Sequence, residues 1–227
     1  MIWMVKIDFH VHTRDSIDSL IEPRHLAAMS EKLKIIPAIC DHNTIAAHAK
    51  MHSSGAAFLP GEEILTERGD LIGLYLSEAI KKKTRFSEAL DLIHDQGGLS
   101  YLPHMFDITR KGAGEPPKES WKRIDIVEAF NARCVLQSYN QKAEAFAKKS
   151  KIPIAAGSDS HFLFEFGKTY TNLPDLDASD LEDPKSLLRA LKSRSCSLVK
   201  HPAPFYIRGT TKAISIVRKI SRKLKGA

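Results

Sequence analysis

Short apolar runs alternate with stretches of helical periodicity along most of this chain. Val5–Phe9, Ile35–Cys40, Ala56–Leu59, Leu71–Leu76, Leu99–Leu102, Ile124–Ala129 and Ile154–Ala156 have the length and composition of buried strands. Pro23–Lys34 reads as a helix with Leu26, Ala27 and Leu33 on one face, and Phe86–His94 as another with Leu90, Leu92 and Ile93 apolar. Val135–Lys149 reads as a long helix between the last two strands, and Asn43 or Thr44 is placed to cap a helix after the second. Strands that alternate with helices predict an α/β protein with a mostly parallel sheet. Seven strands predict a small (β/α) barrel, with an open doubly wound sheet as the structural alternative. Lys111–Lys118 predicts a loop, and the polar, acidic Asn172–Pro184 stretch a surface connection.

Composition narrows the class. The 227 residues suit one compact barrel over 1–200, followed by a basic extension over 201–227. No apolar run approaches the roughly 20 residues that span a bilayer. The opening Met1–Lys6 lacks the order of a secretory signal, so a cytoplasmic location is expected. Cys40, Cys134 and Cys196 are scattered with no CxxC pair, which argues against a thiolate zinc site and for free thiols. The net charge of +7 is uneven: residues 184–227 carry twelve Lys and Arg and no acid. Within them Ala213, Ile216, Val217, Ile220 and Leu224 fall at helical spacing among Lys212, Arg218, Lys219, Arg222, Lys223 and Lys225. The plain expectation is a last helix docked on the barrel with its basic face in solvent. Nucleic-acid contact and a membrane surface are the alternatives.

Chemistry-bearing residues cluster where the predicted strands end. His10 and His12 follow the first strand, Asp41 and His42 the second, Glu62 and Glu63 the third. His104 follows the fifth, Glu128 ends the sixth, and Asp159 and His161 follow the seventh. In a parallel barrel those ends share one face, so residues far apart in sequence converge on one pocket. Histidines with several carboxylates suit divalent transition metals, and a carboxylate can bridge two ions. Each piece alone is weak, since a lone HxH or Asp-His is commonly structural; the joint placement carries the inference.

The motifs Asp8-Phe9-His10-Val11-His12-Thr13, Asp41-His42-Asn43, Pro60-Gly61-Glu62-Glu63, Gly97–His104 and Gly157-Ser158-Asp159-Ser160-His161 resemble, in this order, the polymerase-and-histidinol-phosphatase (PHP) family of metal-dependent phosphoesterases. The resemblance covers roughly residues 5–170 and implies a distorted (β/α)7 barrel, TIM-like, with a basic C-terminal helix. It implies two or three divalent ions, Mn, Fe or Zn. By motif position His10, His12, Glu63 and Asp159 would hold one ion, His42 and His161 a second, and Glu63 with His104 a third, Glu63 bridging. Asp18, rather than Asp15, fits the carboxylate expected after the HxH. Asp70 stands where many members carry a histidine, and Pro103 precedes His104 where alanine is usual.

Such a centre activates water for in-line displacement at phosphorus. His104 or His161 could alternatively protonate the leaving oxygen. Arg14, Arg110 and Arg133 lie on loops after strands one, five and six and are candidate phosphate grips, with Arg133 favoured. Glu128 is a candidate for orienting a ligand histidine. The expected activity is hydrolysis of a phosphoester, in a small molecule, a nucleotide or an oligonucleotide end. A histidinol-phosphate-type phosphatase, a nuclease-like or non-catalytic nucleic-acid-binding barrel, and an amidohydrolase are the alternatives. Oligomeric state is not legible.

Overall fold

A computed structural model describes residues 4–225, the side chains of 222–225 excepted. The positions expected at Arg222, Lys223, Leu224 and Lys225 on the last helix therefore fall outside the described side chains, as does the start of the Met1–Lys6 stretch. The strands are β1 (Val5–Val11), β2 (Ile36–Ile39), β3 (Leu59–Leu65), β4 (Asp70–Leu74), β5 (Leu99–Leu102), β6 (Ile126–Asn131), β7 (Ile154–Gly157), β8 (Tyr170–Leu173) and β9 (Ser197–Val199). The helices are α1 (Pro23–Leu33), α2 (Ala47–Ser54), α3 (Phe86–Asp95), α4 (Gln137–Ser150), α5 (Pro184–Leu191) and α6 (Ile207–Lys225).

All nine strands form one sheet in the order β7-β6-β5-β4-β3-β2-β1-β8-β9. The sheet curls until its seventh strand meets its first. Val11 bridges Ser160 in parallel, His12 N–H donates to Ser160 O (3.0 Å) and Asp159 N–H to His10 O (2.7 Å). The result is a nearly closed, distorted barrel. Ile7, Phe9, Ala38, Leu59, Ile72, Tyr101, Ile126 and Ala155 belong to one core cluster, all buried.

The sheet departs from the mostly parallel expectation at β4, which runs antiparallel to both β3 and β5. Only Thr66–Gly69 separates β3 from β4, far short of the dozen or more residues a parallel crossover needs. Thr66 N–H and Oγ–H both donate to Gly69 O, and Gly69 holds φ 139°, a conformation open only to glycine. The third strand begins at Leu59 instead of ending there, so Glu62 and Glu63 lie within it. The expected surface connection at 172–184 instead starts as β8 and sends Leu173, Leu176 and Leu181 into the core.

The predicted cap also fails. Helix α2 starts at Ala47 with no side-chain cap, while Asn43 Oδ1 accepts the Leu65 N–H (3.0 Å). Leu33 and Leu92 are partly exposed; Leu26, Ala27, Leu90 and Ile93 pack as expected. Cys40 and Cys134 are buried free thiols.

Helix α6 reverses the expected orientation. Ile216, Val217 and Ile220 are 50%, 65% and 54% exposed. Arg208, Lys212, Ser215 and Lys219, at spacings of four, three and four, instead line a cavity at the barrel mouth.

Candidate metal centre

The cavity, of about 770 Å³, lies over the ends of β1, β2, β3, β5 and β7. Strand parity selects which side chains reach it. At the end of β1, Asp8, His10 and His12 have the same parity; His10 and His12 lie nearest the opening, while Asp8, further from the strand's C-terminal end, accepts Ser158 N–H (2.8 Å). On β3, Glu63 turns to the cluster. Glu62 turns away and accepts Ile80 N–H (2.8 Å). The reversed β4 brings its first residue, Asp70, to the same end, where it lines the cavity.

Three groups of side chains bring ligand atoms close enough to share an ion: His12 with His42 and His161, His10 with Glu63 and His104, and His10 with His12 and Asp159. Glu63 stands between them. Its Oε2 lies 2.8 Å from His42 Nδ1, 3.4 Å from His12 Nε2 and 3.7 Å from His10 Nε2, and its Oε1 lies 2.9 Å from His104 Nε2. Asp159 Oδ1 is 3.4 Å from His12 Nε2, 3.5 Å from His161 Nδ1 and 3.8 Å from His10 Nε2. Asp18 Oδ2 sits 3.5 Å from His42 Nε2 and 3.4 Å from His161 Nε2.

The donor set fits divalent cations on two counts. His10 Nε2 and His12 Nε2 face each other at 3.0 Å with carboxylates converging on the same space. Glu63 Oε2, Asp159 Oδ1 and Asp18 Oδ1 are buried without a hydrogen-bond partner. Leaving such atoms unpaired is costly, so their joint orphaning marks a place for a cation.

The electrostatics are reciprocal. Burial opposes the charge on His10, but Asp159, Glu128 and Glu63 hold its pKa above the ordinary value. Burial likewise opposes charge on Glu63 and Asp159, yet the surrounding imidazoles, and Arg110 for Asp159, hold both well below the carboxylate range. His12 is pushed down to about 3, first by burial and then by His161 and His42. A neutral imidazole of that kind keeps its lone pair free for a metal. Asp70 is raised to about 6, first by burial and then by Glu63.

A scaffold holds these groups. Glu128 takes His10 Nδ1 (3.1 Å), Tyr101 O–H (3.0 Å), His104 N–H (2.7 Å) and Asn131 Nδ2 (2.9 Å), fixing two of the histidines. Asp41, which shares its motif with His42, accepts Thr13 N–H and Oγ–H, both 2.6 Å. Ser16 Oγ links His12 Nδ1 (3.2 Å) to His42 N–H (2.8 Å). Gly157 is required by contact, because a Cβ there would lie 2.4 Å from both His10 Cβ and Glu128 Oε1. His104 and Asp159 hold φ 26° and 55°, conformations rare for residues with a Cβ.

The structure does not bring every expected residue together. Asp15 pairs with Lys50 (2.6 Å) and Arg14 with Glu22, both away from the cavity. Arg110 reaches the centre and pairs with Asp159 Oδ2. Arg133 borders the cavity but is buried, with Nε 3.2 Å from Glu165 Oε1 and Nη2 donating to Ile207 O (3.3 Å). Its following a strand end put it near the site; that same position ties it to α6. Sequence reasoning missed Glu165, which accepts His161 N–H (2.9 Å), and Asn131, which donates to Asp159 Oδ2 (3.0 Å). Neither belongs to a motif, although Asn131 lies three residues after Glu128 on the strand that ends at the site.

The chain is 38% identical to the uncharacterized protein MJ0417 of Methanocaldococcus jannaschii over 203 residues, 86% of this chain and 83% of that protein. The family model described as PHP-associated matches residues 137–196. The fold resembles a two-domain protein from Bacteroides vulgatus containing a predicted PHP-like metal-dependent phosphoesterase, with a TM-score of 0.65 and 16% identity. That match covers 88% of this chain and 65% of the other, so the chain spans slightly under two thirds of its length. It also resembles PsfC from Pseudomonas syringae, with a TM-score of 0.63 and 13% identity over 95% of this chain and 98% of that one. The chain belongs to the PHP family, a class of distorted α/β barrels. Its cluster offers ligand sets for divalent metals, and none of its helices, among the described residues, is long and apolar enough to cross a membrane.

Proposed function

We propose that this protein is a metal-dependent phosphoesterase whose centre holds two or three divalent ions, of Mn, Fe or Zn. The observation that carries the reading is the set of orphaned, buried oxygens on Glu63, Asp159 and Asp18, ringed by five histidines. His10, His12, Glu63 and Asp159 form one ligand set; His42, His161 and Asp18 form a second. Glu63 and His104 complete a third, with Asp70 beside it. When bound, such ions lower the pKa of an attacking water toward about 7 and neutralise charge on the phosphoryl oxygens.

The chain's own residues do the positioning. Glu63 spans the ligand sets with its two oxygens, so one side chain fixes the spacing between them. Glu128 holds the His10 ring through Nδ1, leaving Nε2 as the ligand atom. Arg110, partly exposed on the cavity wall, grips a phosphoryl oxygen, and its pairing with Asp159 keeps it aimed at the centre. Arg133 positions the His161 loop through Glu165 and does not itself touch phosphate. The 1–200 unit carries the catalytic barrel, and in the 201–227 extension helix α6 covers its mouth.

A phosphate-release screen over phosphoesters, with single metals added back to chelated protein, tests this. Release is expected only with metal and is expected to fall about a thousandfold in His10→Ala, several kcal/mol of lost transition-state stabilisation. Activity that survived both chelation and that substitution would defeat the proposal.

A further inference from the structure

The basic C-terminal helix is built into the site. Three attachments hold α6 across the cavity. Arg133 Nη2 donates to Ile207 O (3.3 Å), at the start of the helix. Arg208 donates to Thr109 Oγ1 (2.7 Å) on the loop after β5. Arg218 Nη1 donates to Ser16 O (3.0 Å) and Ser19 O (2.8 Å) on the loop after β1. The helix thus bridges two loops that carry the centre and forms the wall opposite it.

What this wall presents is cationic. Lys212 and Lys219 face the cavity, are exposed, and enter none of the ion pairs among the described residues. Lys111 lines the same cavity from the loop after β5 and is also exposed. Lys111 also lies near enough to act on Asp70, but Glu63 and Asp159 are engaged by histidines and Arg110 rather than by these ammonium groups. Meanwhile α6 leaves Ile216, Val217 and Ile220 in solvent, an arrangement that apolar burial alone would not select. The cavity volume, about 770 Å³, lies within the roughly 300–1,000 Å³ range of small-ligand sites.

We infer that Lys212, Lys219 and Lys111 form a second anion subsite, and that the substrate carries a further phosphate besides the one cleaved at the centre. The inference rests on the phosphoesterase reading and specifies its substrate class. The reacting ester lies on the floor beside Glu63 and Arg110, and the second phosphate lies against α6. A compact bisphosphate and an oligonucleotide end, whose next phosphodiester supplies the charge, share this chemistry.

The test uses full-length protein and non-cleavable phosphonate analogues of fructose monophosphate and fructose bisphosphate. A trinucleotide with a terminal phosphonate and its single-nucleotide counterpart provide the second arm. Dissociation constants are measured by calorimetry for the wild type, for Lys212→Ala/Lys219→Ala, and for Lys142→Ala on α4 as a distant control. The two-phosphate ligand of at least one arm is expected to bind the wild type at least tenfold more tightly than its one-phosphate counterpart. The arm that shows the preference names the source. The preference is expected to fall severalfold in the double variant and to persist in Lys142→Ala. Equal binding of one- and two-phosphate ligands in both arms, or a preference untouched by the double substitution, would overturn the inference.

Phosphate release from the corresponding esters, followed in parallel, separates the two levels. Release without discrimination defeats the subsite and leaves the phosphoesterase reading intact. Discrimination without release from any ester defeats that reading and leaves the anion subsite.

Discussion

Two sets of buried carboxylates lie within a few residues of one another at the barrel mouth, and they differ in how their oxygens are used. Asp8, Asp41 and Glu128 have both oxygens engaged by backbone or side-chain donors. Glu63, Asp159 and Asp18 each keep one buried oxygen without a hydrogen-bond partner, and each of these carboxylates lies 3.4 Å from a histidine nitrogen. Glu63 and Asp159 are as buried as Asp8, Asp41 and Glu128, so burial alone does not distinguish scaffold from ligand. An unspent oxygen beside histidine nitrogens does. The first set holds loops and rings in place, and under the proposed function the second is completed by a cation.

Substitutions should separate the two sets. The largest effect is expected at the ligands. Glu63→Gln removes the shared carboxylate and should lower metal-dependent turnover about a thousandfold, with fewer ions retained per chain. Elemental analysis beside kinetics checks both; a Gln variant with full metal content and full rate would erase the distinction. Next comes the support. Glu128→Gln weakens the hold on His10 and should cost about 10–100-fold in metal affinity, read by titration into chelated protein.

Asp8→Ala should leave ion content unchanged but orphan the Ser158 N–H, for a loss of about 1–3 kcal/mol in denaturant unfolding. An ion count that fell while stability held would move Asp8 into the ligand set. The smallest effect concerns a carboxylate–histidine pair remote from the centre. His94 Nε2 lies 2.8 Å from Asp125 Oδ2, and that hydrogen bond raises the His94 pKa. The folded state therefore holds the proton more tightly than the unfolded one. The stabilisation is fully present below the unfolded value of about 6.5 and is lost as pH rises through the higher folded value. His94→Gln should flatten this part of the stability–pH profile, by under about 1 kcal/mol at this part-exposed site. A profile unchanged by the substitution would show that the pair contributes nothing.

The same contrast explains what was legible in sequence. The ligand motifs were visible because they fall just past apolar strand runs and barrel geometry gathers those positions. Strand parity adds that Glu63 faces the centre while Glu62 faces the wall, once β3 is known to run Leu59–Leu65. The reversal of β4 was not legible, because ending the third strand at Leu59 left room for a crossover that the true boundary at Leu65 removes. Orientation of α6 was not legible. An amphipathic pattern shows that a helix has two faces without telling which one docks, and here loop carbonyls and Asp107 meet the charged one. Arg133 looked like a phosphate grip from its place after a strand; only Glu165, distant in sequence, reveals the buried ion pair it makes.

Under the proposed function, cations complete the cluster and phosphoester hydrolysis depends on them. Its most direct test is a titration of one divalent metal into chelated full-length protein, with phosphate release recorded at every addition. No release is expected at the start, followed by a rise that tracks occupancy beyond the first ion per chain. Release from the chelated protein, or a rate indifferent to added metal, would contradict it.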